Sequence, residues 1–210
     1  MSATRLDSDA TLGSFAELVA AGTPAPGGGS VAAHCGMMAA ALGRMVCNLT
    51  IGKPKFADQE SRLTEVREEL ERLGRRLREL IAEDAASFES VLAAYRLPKE
   101  TNEQKSARAE SIQSAISDAV SVPLETAERS FEVLKLLREI ADSGNPNAMP
   151  DVAVGSQLAE VAIKGAGYNV TANLVTMTDR HRASEADARV NGLVAEAHAL
   201  AAEVEAKTAQ

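Results

Sequence analysis

A glycine-rich segment near the start of the chain is the first feature that could bind a ligand. Residues 23–29 read TPAPGGG, and Ser30 follows as a good N-cap for the next helix. Prolines fix the backbone and glycines free it, so residues 23–29 are predicted to form a loop. The first turn of the following helix offers unpaired N–H groups that favour an anion, and glycines let a ligand touch the backbone. A tight turn between two helices is the alternative interpretation.

A carboxylate stands where a long helix should bury an apolar side chain. Apolar residues recur at alternating spacings of three and four, as in a coiled-coil seam, at Leu63, Val66, Leu70, Leu73, Leu77 and Leu80. We expect this seam to be buried in the bundle or across a two-fold interface. The series continues to Asp84. An unpaired buried carboxylate is costly, so a buried Asp84 is either paired or functional, and the alternative is that Asp84 is solvated at the end of the bundle.

Two further polar groups interrupt apolar helices. Asn169 and Asn173 are four residues apart, share a helix face, and either line a pocket or form hydrogen bonds across the bundle. Arg44, Lys53 and Lys55 lie near the end of an apolar helix in an otherwise acidic chain. They could hold a carboxylate or phosphate, although a helix C-terminus attracts cations by itself.

Charge and motif content exclude several function classes. The net charge is −8, which argues against non-specific binding to nucleic acid or to an anionic membrane. The sequence has no HExxH or GxSxG motif and no His or Cys pair with ligand spacing, so no metal site is expected. Residues 1–12 lack a signal-peptide pattern, and Cys35 and Cys47 are interpreted as buried thiols, so a cytoplasmic protein is expected.

Composition and periodicity predict a single all-α domain over residues 1–210. The chain is 45% hydrophobic but only 3% aromatic, which suits close packing on small side chains. We expect a bundle of six or seven helices, in orthogonal or up-down packing, with a long central helix. The helix over 31–50 is long enough to span a membrane, but His34 and Arg44 favour a buried helix of a soluble bundle. The predicted helices are 8–21, 31–50, one from the seam to Pro98, 102–121, 123–143, 151–178 and 183–206.

The order of these segments resembles the cyclodeaminase/cyclohydrolase family of folate enzymes. The resemblance covers roughly residues 10–180 and implies an all-helical homodimer. The blocks that carry it are TPAPGGGSVAA at 23–33, MVCNLTIGK at 45–53, DAASF at 84–88, YRLPK at 95–99, GNPN at 144–147 with Asp151, and residues 165–169 with Asn173.

The sequence departs from the family pattern at four positions. His34 stands where a small or apolar residue is usual, and Pro54 where a basic one is common. Phe56 replaces a common tyrosine, so any role of that hydroxyl is absent here. Pro150 replaces a small polar residue before Asp151.

The resemblance implies a reaction on tetrahydrofolate, with no cofactor beyond this small-molecule substrate. Members hydrolyse 5,10-methenyltetrahydrofolate to 10-formyltetrahydrofolate, or they close the ring of 5-formiminotetrahydrofolate with loss of ammonia. The length of the chain and the motifs at 47–53 and 97–99 favour the cyclohydrolase. The cyclodeaminase is the alternative within enzymes, and a non-catalytic helical folate-binding protein is the alternative from another class.

The implied hydrolysis gives each candidate residue an expected role. The methenyl substrate is a cation, so the enzyme must position a water, remove its proton and protonate a ring nitrogen. Asp84 and Asp151 are expected to bind the cation or move protons, with Lys99 as a further proton-transfer candidate. Lys53 and Lys55 are expected to hold the glutamate tail. The other expected substrate-binding residues are Gly27, Gly28, Gly29, Ser30, Asn48, Asn145, Asn169 and Asn173.

Overall fold

Six α-helices and two short 3₁₀ segments account for most of residues 11–208, the part of the chain that the computed structural model describes. The prediction of an all-α bundle with six or seven helices is confirmed, since this part of the chain contains no strand. The 3₁₀ segments are Pro54–Gln59 and Pro146–Ala148. The helices are α1 (Leu12–Ala20), α2 (Gly28–Asn48), α3 (Glu60–Tyr95), α4 (Asn102–Ser143), α5 (Met149–Leu174) and α6 (Arg180–Thr208).

Helix α2 is the centre of the bundle and packs against α3, α4 and α5. It tolerates this crowding because its glycines let neighbouring side chains approach the backbone. A Cβ at Gly43 would lie only 2.8 Å from Leu70 Cδ1. Among the described helices, α2 alone is long and apolar enough to cross a membrane, yet half of its most apolar window is buried inside the bundle. The seam over 63–80 is likewise buried within the chain rather than left for a partner.

Pro123 lies inside α4, so the prediction of two helices divided at this residue is wrong. A proline inside a helix leaves the carbonyl four residues earlier without its usual donor. Here that carbonyl belongs to Ala119, and the Asn173 side chain of α5 donates to it at 2.6 Å. A distant residue therefore satisfies the hydrogen bond that proline removes, and the helix continues.

The beginning of α2 also differs from the prediction. The helix starts at Gly28 with Gly27 as its N-cap, so the loop is shorter than expected and Ser30 does not cap the helix. The reason is that the Ser30 hydroxyl is engaged elsewhere, donating to Asp84 Oδ2.

Other helix ends shift by a few residues. Helix α1 starts at Leu12 with Thr11 as its cap, whereas the predicted start at residue 8 lies outside the described residues. Helix α5 ends at Leu174 rather than at residue 178. In the turn that follows, the Gln113 side chain donates to Thr176 O and accepts from the Thr178 N–H.

Candidate functional site

The first turn of α2 packs directly on the carboxylate of Asp84 in α3. The Ser30 hydroxyl donates to Asp84 Oδ2 at 2.9 Å, and Ser30 is fully buried. A Cβ at Gly29 would lie 2.1 Å from Asp84 Oδ1, closer than any real contact, so this approach requires glycine. The third glycine of the segment, Gly29, is therefore explained by its contact with the Asp84 carboxylate rather than by a loop.

Asp84 has no cationic partner among the residues that the structure describes. Within residues 11–208 no basic side chain forms an ion pair with it, and its hydrogen bonds come from Ser30. Burial raises the pKa of Asp84, while the hydroxyl and backbone N–H of Ser30 lower it in part. Of the carboxyl groups in the described range, Asp84 is the only one with a clearly raised pKa. A partly buried carboxylate of this kind can bind a cation or accept a proton.

The two asparagines of α5 lie at different distances from this carboxylate site. Asn169 is beside the start of α2, since a Cβ at Gly28 would lie 3.6 Å from its Nδ2. Its Nδ2 donates to Gly165 O, and within the described residues its Oδ1 accepts no hydrogen bond. Asn173 Nδ2 instead donates a hydrogen bond to Ala119 O of α4. Of the two alternatives given for this residue, the hydrogen bond across the bundle is the one that the structure contains.

Other predicted residues gather at the opposite end of α2. Asn145 is buried there, where its N–H donates to Thr50 Oγ1 at 3.0 Å and its Nδ2 to Leu49 O at 3.3 Å. These bonds fasten the turn between α4 and α5 to the end of α2. Asp151 is partly buried in the first turn of α5. The exposed residues at this end are Asn48, Lys53 and Lys55.

One chain therefore does not bring all the predicted residues together. Helix α2 has 21 residues, which places its ends about 30 Å apart at 1.5 Å per residue. Gly27, Gly28, Gly29, Ser30, Asp84 and Asn169 are at one end, and Asn48, Lys53, Lys55, Asn145 and Asp151 are at the other. Lys99 is exposed in the turn between α3 and α4.

The cysteines and His34 are packed rather than paired. Cys35 and Cys47 are free thiols, the first partly buried and the second fully buried, and burial raises the pKa of Cys47 to about 11. The ring centroids of His34 and Phe15 are 5.2 Å apart, and burial lowers the pKa of His34. Among the described residues, no three His, Cys, Asp or Glu side chains come together in a way that could hold a metal ion.

Two features of the structure were not predicted from the sequence. A groove of about 870 Å³ lies between the 18–26 segment and the second half of α3, lined in part by Phe88, Glu89 and Arg96. The second feature is a buried carboxylate, Glu160, which pairs with Lys164 and His198. The groove has no local sequence signal, because a helix and a loop form it together. Glu160 and Lys164 are four residues apart on α5, a spacing that the sequence shows, whereas the contact with His198 comes from α6 and has no local signal.

Comparisons with known proteins agree on one family. A family model described as Formiminotransferase-cyclodeaminase matches residues 11–192. Methenyltetrahydrofolate cyclohydrolase of Methylorubrum extorquens is 43% identical over 90% of this chain and 91% of that protein. Formimidoyltransferase-cyclodeaminase of Rattus norvegicus is 35% identical over 92% of this chain, which corresponds to 36% of the rat protein. The crystal structure of formiminotetrahydrofolate cyclodeaminase from Thermotoga maritima matches with a TM-score of 0.85 at 26% identity, covering 95% of this chain and 96% of that one.

The fold is an all-α bundle, and the first turn of its central helix α2 packs against the carboxylate of Asp84. The chain belongs to the formiminotransferase-cyclodeaminase family, which confirms the resemblance drawn from its motifs. It matches the Methylorubrum extorquens cyclohydrolase over nearly its whole length, but it spans only about a third of the rat protein.

Proposed function

We propose that this protein is a methenyltetrahydrofolate cyclohydrolase, which hydrolyses 5,10-methenyltetrahydrofolate to 10-formyltetrahydrofolate in one-carbon metabolism. The observation that carries the proposal is Asp84, a partly buried carboxylate that pairs with no cation within residues 11–208. The methenyl substrate supplies the missing positive charge. The relative from Methylorubrum extorquens, at 43% identity over nearly the full length, supports this reaction.

The reaction removes two protons from the attacking water and delivers one proton to N5. Water adds to the bridging carbon and loses a proton, the bond from that carbon to N5 breaks as N5 takes up a proton, and the hydroxyl proton leaves as the formyl C=O forms. The net release is one proton. With its raised pKa, Asp84 is suited to accept the water proton and return it to N5. Ser30 would hold the carboxylate in place, and the unused Oδ1 of Asn169 would accept from the pterin or the water.

A homodimer would unite the two separated groups of predicted residues. Helices α2 and α5 are antiparallel neighbours, since Gly165 lies against Ala32 and Gly155 against Leu42. The outer face of this pair is apolar. Exposed apolar residues recur at intervals of seven along α5 and its C-cap, and two more lie at the end of α2 and its C-cap. They are Val154, Val161, Tyr168 and Val175, followed by Met45 and Leu49.

A second copy packed antiparallel on this face would bring its Lys53 end towards the Asp84 end of the first. The apolar face supports this arrangement because such a face is unfavourable in water. We also infer a cytoplasmic enzyme that uses no cofactor beyond its folate substrate and binds neither nucleic acid nor membrane. The acidic net charge of −8 is consistent with the last two points.

The dimer is tested by changing Tyr168, which is 75% exposed in the single chain. The wild-type protein should sediment as a dimer at micromolar concentration. Tyr168→Glu should shift it to monomer and reduce turnover in parallel, because a charge in the apolar face opposes association. A wild-type monomer with full activity would contradict the proposal.

The activity is tested with purified protein and methenyltetrahydrofolate by following the loss of near-ultraviolet absorbance. The uncatalysed rate, measured without enzyme, is subtracted. A second candidate, the formimino cyclodeaminase, is favoured by the structural match to the Thermotoga maritima protein, so the formimino substrate is run in parallel. Turnover of the formimino substrate alone would replace the proposed activity. Folate binding without turnover of either substrate would indicate a binding protein.

A further inference from the structure

The groove beside α3 begins close to the carboxylate site. Pro26, which lines it, directly precedes the glycines that start α2, and Phe88 is one helical turn beyond Asp84. Its lining includes apolar side chains from both sides, Leu18 and Pro24 from the 18–26 segment and Phe88 and Leu92 from α3. The volume of about 870 Å³ is enough for a flat aromatic group with a polar extension.

Arg96 is the cationic group of this groove. It caps the end of α3, it is exposed, and within residues 11–208 its guanidinium forms no hydrogen bond or ion pair. Glu89 lies on the same wall, so a negative ligand would be repelled from the middle of the groove and attracted to the Arg96 end. Lys99, three residues farther along, adds positive charge at that end.

The length of the groove fits the distance between the reacting carbon of a folate and its first glutamate. Asp84 and Arg96 are twelve residues apart on α3, which is about 18 Å along the helix axis. An arginine side chain reaches roughly 6 Å, leaning towards the helix N-terminus, which leaves about 12 Å. The p-aminobenzoyl ring and the glutamate α-carbon together span roughly 10–12 Å by standard bond lengths.

We propose that this groove binds the p-aminobenzoyl ring and the glutamate tail of the substrate, and that Arg96 binds the tail carboxylates. The inference rests on the proposed function, because it takes a folate as the ligand. It assigns the tail to a residue on the same chain as Asp84. The expected holders of the tail, Lys53 and Lys55, lie about 30 Å away from Asp84 within one chain, at the other end of α2.

The test compares three substrates that differ only in the tail: 5,10-methenyltetrahydropteroate, which has no glutamate, and the methenyltetrahydrofolate mono- and triglutamates. Arg96→Gln should raise KM for both glutamylated substrates about tenfold, the usual value of one charge-assisted hydrogen bond, with kcat unchanged. The pteroate should show no change in KM. Lys105→Gln removes an exposed positive charge from α4, outside the groove, and serves as the matched control.

Three results would overturn the inference. One is an Arg96→Gln enzyme with unchanged KM for the glutamylated substrates. Another is an equal loss with all three substrates, which would indicate a role in chemistry or folding. The third is a tail-dependent loss in Lys53→Gln but not in Arg96→Gln.

Calorimetric titration with p-aminobenzoyltriglutamate separates this inference from the proposed function, because binding needs no turnover. Arg96-dependent binding without hydrolysis of the methenyl substrate would contradict only the proposed activity. Hydrolysis with no Arg96-dependent binding would contradict only the groove assignment.

Discussion

Two carboxylates of the bundle, Glu160 and Asp84, are largely removed from water, but they have different hydrogen-bond partners. Glu160 is 8% exposed and has two partners within the chain, Lys164 and His198 Nδ1, the latter at 2.9 Å. Burial raises the pKa of Glu160, but the hydrogen bonds with Lys164 and His198 outweigh burial, and the net shift is downward. Among the described residues the Asp84 carboxylate receives hydrogen bonds from Ser30 alone, and burial dominates, so its pKa is raised.

We interpret Glu160 as a carboxylate that stabilises the fold and Asp84 as one that binds a ligand. When hydrogen-bonded partners lower the pKa of a carboxyl group in the folded protein, ionisation of that group contributes to stability. Without a cationic partner, the ionised form is disfavoured until an external cation or a proton arrives. The contrast predicts that neutralising Asp84 affects activity and that neutralising Glu160 affects stability.

Asp84→Asn is expected to have the largest effect. The change keeps the volume of the side chain and removes its charge, so turnover should fall by about two to four orders of magnitude, as for a lost general base. The melting temperature should stay the same or rise. Asp118→Asn, at an exposed position of α4, is the control and should change neither quantity.

The pH dependence sharpens the same prediction. The pKa of Asp84 is higher in the folded protein than in the unfolded chain. Ionised Asp84 therefore lowers the free energy of unfolding, and this effect is largest at a pH where the group is ionised in both the folded and the unfolded state. Its destabilising contribution therefore appears as pH rises through the ordinary aspartate range and is absent well below that range. The melting temperature of Asp84→Asn relative to wild type should be higher at pH 7 than at pH 4. A variant that is fully active, or that loses several kcal/mol of stability as an unpaired partner would, would contradict the assignment.

Gly29→Ala should have the next largest effect. Its Cβ would meet Asp84 Oδ1 at 2.1 Å, so the carboxylate or the start of α2 must move. A displacement of about 1 Å in a catalytic group lowers turnover by about a hundredfold. Gly28→Ala is the neighbouring comparison, because its Cβ makes an ordinary contact of 3.6 Å with Asn169 Nδ2.

Circular dichroism should report intact helices in both glycine variants. The loss of turnover in Gly28→Ala then measures how closely a ligand approaches the exposed first residue of α2. Equal activity of Gly29→Ala and wild type would show that the position of the Asp84 carboxylate does not matter.

Local sequence patterns predicted what each helix buries but not which helices supply partners. The spacing of the seam located Asp84 at a position that should be apolar, and the structure places it beside the start of α2. The prediction that a helix ends before Pro123 is wrong because Asn173, which donates to the carbonyl of Ala119 left without a partner by the proline, lies 54 residues away on another helix. The partnership of Glu160 with His198 spans 38 residues and carries no local signal either. A sequence reports periodicity directly, whereas contacts between helices depend on how the bundle is assembled.

Glu160→Gln should have the smallest effect, and it tests the other half of the comparison. The variant keeps the shape and loses the charge that Lys164 and His198 complement. Both partners are more than a third exposed, so water screens part of the interaction and the expected loss is about 1 kcal/mol. For a chain of this size that lowers the melting temperature by about 2–4 °C, with kcat unchanged.

The pH profile distinguishes an ion pair from a packing defect. The pKa of Glu160 is lowered by folding, so its stabilising contribution is present above the ordinary glutamate pKa and is lost as pH falls through the lower folded value. The difference in melting temperature between wild type and Glu160→Gln should therefore shrink in acid. Glu185→Gln provides the matched control, because Glu185 forms a similar pair with His181 at 3.4 Å in which both side chains are largely exposed. It should leave the melting temperature unchanged, since an exposed pair contributes little. If Glu160→Gln instead lowers turnover as strongly as Asp84→Asn, the paired carboxylate is also functional and the distinction between the two does not hold.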